Sequence, residues 1–161
     1  MMKKTLLSIM TVAALISSAS VYSQTVDKNI QVEAEIPGMI TITKSGGGVI
    51  PTLKLLPVEN GAKKYTVSED IQIVNNFNND TKVKISINGD FALTESVDKV
   101  KVFSGLEVKL KDTILTNAGN EFLLADVNNS VKLAITGESP DNVLSEERYT
   151  GELKLTVESV A

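Results

Sequence analysis

The sequence predicts an all-β sandwich. Apolar residues recur with a period of two along much of the chain, and clusters of Gly, Pro, Asn and Asp punctuate it at short intervals. No stretch of ten residues or more shows a convincing helical period. At 161 residues the chain is about one domain.

The elements follow in order. Residues 1–23 are expected to be a secretory signal: Lys3 and Lys4 form a positive start, residues 6–16 are mostly apolar, and Ser17, Ser18, Ala19, Ser20 and Ser23 supply small residues before a cut ahead of Gln24. The apolar run is short for a membrane span, which needs roughly 20 residues. Residues 26–36 alternate as a long half-buried strand. Val26, Ile30, Val32, Ala34 and Ile36 share one face; Lys28 is the misfit on it. Pro37 and Gly38 end the run. A short strand is expected over 39–44, then a turn through Gly46, Gly47 and Gly48. Residues 52–58 carry Leu53, Leu55 and Leu56, with Pro57 marking an edge or an end. Strands follow over 65–74 and 82–87, separated by an Asn-rich turn at 75–80. Further strands fall at 106–111 and 131–136, a loop at 137–142, and a last strand at 148–157 with Tyr149, Leu153, Leu155 and Val157 on one face. Eight or nine short strands of this kind make a sandwich of immunoglobulin-like size, without that fold's signature cysteines and tryptophan.

Composition excludes several functions. The chain has no Cys and no His, so it offers no disulfide framework, no thiol nucleophile, no imidazole base and no zinc site of the usual type. Its net charge is −4, and −6 once the two lysines of residues 1–23 are removed, which argues against a nucleic-acid partner. Glu69-Asp70 and Glu146-Glu147 are neighbours in sequence, so on a strand each pair points to opposite faces, unlike a glycosidase pair. Glu138, Asp141 and Asn142 do not have EF-hand spacing, and Gly46–Gly48 lacks the Lys-Ser/Thr ending of a phosphate loop. No cofactor or metal is expected, and no enzymatic activity.

The run V-D-K-N-I-Q-V-E-A-E-I-P resembles the mature start of the class 5 fimbrial subunits, the colonization factor antigen I type of major pilins from the alternate chaperone–usher pathway. Val26, Lys28, Asn29, Ile30, Val32, Ala34 and Pro37 carry the likeness. The closing R-Y-T-G-E-L-K-L-T-V is similar to that family's last strand through Tyr149, Gly151, Leu153, Leu155 and Val157. The resemblance implies an incomplete immunoglobulin-like β-sandwich, completed by a donor strand from a neighbouring subunit. Residues 1–23 would then be the signal peptide, 24–37 the donor strand and 38–161 the pilin domain. Val26, Ile30, Val32, Ala34 and Ile36 would be the interface plugs. Tyr149, Gly151, Leu153, Leu155 and Val157 would form the groove strand that a chaperone also pairs with. The implied partners are identical subunits, a periplasmic chaperone, an outer-membrane usher and a tip adhesin. The implied destination is a fimbria on the bacterial surface, reached through the periplasm. Two other readings stay open at this point: a minor or single-domain adhesive pilin contacting a host glycan or protein, and a self-complete exported β-sandwich binding domain.

Overall fold

The computed structural model describes residues 27–160. The expected signal segment, and Val26 of the expected donor strand, lie outside the described residues. The chain divides into two units, 1–35 and 36–161.

Residues 27–39 carry no secondary structure. Their alternation predicts a half-buried strand, yet Ile30, Val32 and Ile36 are 78, 87 and 83 % exposed. The pattern is that of a strand; the ladder partner that would make it one is not among the described residues. Asp27 to Glu35 are exposed throughout.

The larger unit is built from β1 (Ile40–Lys44), β2 (Leu56–Pro57), β3 (Lys64–Asn75), β4 (Lys82–Ile87), β5 (Thr94–Glu95), β6 (Ser104–Leu110), β7 (Thr113–Ile114), β8 (Asn120–Leu123), a single helical turn α1 (Leu124–Val127), β9 (Val131–Glu138), β10 (Tyr149–Thr150) and β11 (Leu155–Val160). One sheet runs β1-β3-β9-β6-β7, with β2 alongside β3; a second runs β11-β4-β8; β10 and β5 pair by themselves. Every ladder is antiparallel. Alternation explains the packing. Ile71 and Ile73 of β3, Val108 and Leu110 of β6, and Leu133 and Ile135 of β9 point from the first sheet. Val83 and Ile85 of β4 meet them from the second, and Leu124 and Val127 of α1 close one end.

Several predicted elements are revised. The strand expected over 52–58 reduces to Leu56–Pro57, because Pro57 lacks the N–H that a longer ladder needs. The loop expected at 137–142 starts later, since β9 continues to Glu138 against Lys64. The single strand expected over 148–157 is two strands in two sheets: Tyr149 pairs with Glu95, and Leu155 with Ile87. Between them the backbone passes so close to Ala92 that a Cβ on Gly151 would lie 1.9 Å from the Ala92 carbonyl oxygen. The turn at Gly46, Gly47 and Gly48 is as expected, with φ of 84°, 95° and 99°, a left-handed run that only glycine adopts cheaply. β5, β7, β8 and α1 escape the sequence pattern because none exceeds four residues.

Candidate functional site

The two main sheets each end in an incomplete edge, and the edges are neighbours. Among the described residues β1 has its single ladder partner in β3, and β11 has its single ladder partner in β4. Yet β1 and β11 lie beside each other, so a seam without ladder hydrogen bonds runs between them. Burial follows the same line. Interior strands supply fully buried residues, whereas Ile40 and Ile42 on β1, and Leu155 and Val157 on β11, reach the core only half-buried. Ile50, Leu53 and Leu55 of the irregular segment after β1, and Leu153 just before β11, share that state. A stripe of aliphatic side chains over an unpaired backbone edge can accept one more strand: its main chain supplies the missing hydrogen bonds and its alternate side chains fill the stripe.

The expected groove residues divide in two. Leu153, Leu155 and Val157 border the seam. Tyr149 does not sit on β11; its ring packs edge-on against Phe103 at 5.1 Å, and Phe103 packs against Tyr65 at 5.4 Å, closing the opposite end of the sandwich. Gly151 makes the close approach to Ala92. Ile40 and Ile42 of β1 were legible as an apolar run, but nothing in a one-dimensional pattern places them beside β11 across the chain. Of the expected plugs, Ile30, Val32, Ala34 and Ile36 are exposed.

Three of the acidic residues weighed for chemistry, Glu69, Asp141 and Glu147, are held by charge partners. Glu69 pairs with Lys44 at 3.3 Å. Asp141 pairs with Lys63, whose ammonium draws its carboxyl below the ordinary value and is itself raised in return. Glu147 is held low chiefly by Lys101, and it accepts a 2.8 Å hydrogen bond from the Tyr149 hydroxyl. Burial first, and Glu147 second, push that hydroxyl up to about 12. Glu95 accepts backbone N–H groups from Asp98 at 2.6 Å and Val97 at 3.1 Å, which lower its pKa. These contacts brace two loops, 96–102 and 141–147, against each other.

The chain enters the larger unit through a second braced point. The Asn76 side chain donates to the Pro37 carbonyl at 2.9 Å and accepts from the Met39 N–H at 2.7 Å. The Phe77 ring lies so close to Gly38 that a Cβ there would approach it to 2.4 Å. The segment that precedes β1 is therefore gripped on both sides of Gly38.

The described residues form an antiparallel sandwich with two adjacent unpaired edges. Eight chains of solved structure match it. One is described as the structure of the CooA pilin subunit from enterotoxigenic Escherichia coli, with a TM-score of 0.56, 16 % identity, 74 % of this chain covered and 86 % of that one. The chain belongs to the family of CS1 type fimbrial major subunits, which matches residues 26–158. No curated protein matches it in sequence. It is thus a structural subunit of a surface fimbria that polymerises with copies of itself, and not an enzyme.

Proposed function

We propose that the chain polymerises by donor-strand exchange, with residues 24–37 of one copy filling the seam between β1 and β11 of the next. The observation that carries this reading is a match of unmet needs. The seam lacks a strand and leaves aliphatic side chains half-buried, while residues 27–36 alternate as a strand and hold their large aliphatics in water. Val26, Ile30, Val32 and Ile36, with Ala34 between them, are the plugs. Burying four such side chains offers about 6–12 kcal/mol gross, before the cost of ordering the strand. Leu153, Leu155 and Val157 form one wall; Tyr149 and Gly151 hold the end of that wall in place.

The rest of the route is what membership of the family implies. An open edge of this kind pairs with anything extended, so a periplasmic chaperone occupies the seam until a donor strand replaces it. Residues 1–23 direct export and are removed. An outer-membrane usher passes subunits outward, and a tip adhesin ends the fibre.

Two versions of the chain test the reading. One begins at Gly38; the other begins there too and carries residues 24–37 after Ala161 through a short flexible linker. The grafted version is expected to be a monomer that melts far above the truncated one, by thermal unfolding and size-exclusion chromatography. Equal stability of the two rejects the exchange.

A further inference from the structure

Exposed apolar side chains lie at both poles of the 36–160 unit. At the far pole, where β3 begins and β9 ends, the loops 96–102 and 141–147 present Val97, Val100 and Leu144, which are 82, 80 and 72 % exposed, with Val143 beside them. These loops are braced: Lys101 donates to the Asn142 carbonyl at 2.8 Å and pairs with Glu147, and Glu95 gathers the Val97 and Asp98 amides. At the near pole, where β3 ends, Ile36, Met39 and Leu123 are exposed. Met39 is tied to Asn76 just after β3, and Leu123 pairs with Lys82 at the start of β4. The twelve residues of β3 separate the poles by about 36 Å. Clusters of exposed aliphatics on well-held backbone mark contact surfaces.

The direction of strand insertion decides what meets them. β11 runs from the far pole toward the near pole, since Leu155 pairs with Ile87 and Val160 with Lys82. β1 runs the other way, since Ile40 pairs with Asn75 and Lys44 with Ile71, so an inserted strand is antiparallel to one edge and parallel to the other; the direction antiparallel to β11 brings its own residue 36 to the acceptor's far pole. Only Pro37 and Gly38 then intervene before Met39 at the donor's near pole. The opposite direction would put the donor's domain at the acceptor's near pole, where the acceptor's own extension must leave.

We propose that the Val97–Leu144 cluster at the far pole of one subunit seats against the Met39–Leu123 pole of the next copy. This is a second contact beside the inserted strand, and it rests on the donor-strand reading for its direction. The contact is heterologous, so it repeats along an open filament instead of closing a ring. It stiffens the joint at Pro37–Gly38, which the strand alone leaves as a single tether.

Thiol cross-linking tests it, because the chain has no cysteine of its own. Fibres are assembled with the full secretion machinery from the chain carrying Met39→Cys and Leu144→Cys together, then treated with a short bis-maleimide. A ladder of covalent multimers in denaturing gels is expected from the pair, and monomer from each single variant. Fibres that assemble normally and label at both thiols, yet give no ladder, overturn the contact and leave strand insertion standing. Fibres carrying Val97→Ser with Leu144→Ser, two exposed positions that folding tolerates, supply the second readout. They are expected to dissociate at a lower guanidinium concentration than wild type; equal resistance overturns the contact. Failure of the donor-strand reading looks different: Ile30→Asp chains then form fibres as the wild type does.

Discussion

Gly151 shows how much one residue can decide here. Its φ is ordinary, but a Cβ would lie 1.9 Å from a backbone oxygen that cannot swing away. Gly151→Ala therefore has to move the chain between β10 and β11, and a loss of about 1–3 kcal/mol is expected in denaturant unfolding of the grafted monomer. The carboxylates of the far-pole loops give a pH signature. Glu95 and Glu147 both titrate below their ordinary value of 4.5 in the folded chain. Their contribution is thus present above pH 4.5 and is lost as pH falls through the lowered folded values. Tyr149 has the opposite sign: its folded pKa is raised to about 12, so stability declines as pH climbs from its ordinary 10.0 toward that value. Glu95→Gln is expected to flatten the acid limb of a plot of thermal midpoint against pH and to leave the alkaline limb unchanged.

At the scale of the element, the donor-strand proposal makes β11 and residues 24–37 two halves of one ladder. A strand with period two presents every second side chain to the seam, so on that proposal Ile30 would face the seam and Gln31 the solvent. Ile30→Asp replaces an aliphatic plug worth about 1.5–3 kcal/mol with a carboxylate that has no buried partner. Loss of fibres is expected, seen by electron microscopy of sheared surface material, while the chaperone complex still purifies because the acceptor seam is untouched. Gln31→Asp, on the solvent side, is expected to assemble.

At the scale of the molecule, the unit is a sandwich that lacks one strand and a polymer that supplies it. Donor-strand insertion predicts a difference in amide exchange between lone subunit and fibre. The β11 amides that are not donated to β4 exchange quickly in the truncated chain that begins at Gly38, and they become protected in fibres; β9, interior in both, is protected in both. Unchanged exchange along β11 in fibres would place the subunit contact elsewhere. Because each link is heterologous, fibre length is set by the supply of subunits and not by closure.

Much of this was legible in the chain alone. Alternation located β3, β4, β6 and β9 to within a few residues, since each buries one face and a one-residue slip would turn all its aliphatics outward. Pro57 marked an edge or a strand end, and the three glycines a turn. The alternating Ile30, Val32, Ala34 and Ile36 and the closing Leu153, Leu155 and Val157 were visible as apolar faces. What they face was not. The split at Gly151, the Tyr65–Phe103–Tyr149 stack, the second wall at Ile40 and Ile42 and the apolar poles all depend on residues far apart in sequence meeting in space. Period and turn chemistry are local, so they reveal which residues seek cover; only the order of strands in the two sheets determines that β1 and β11 end up side by side with no strand between them.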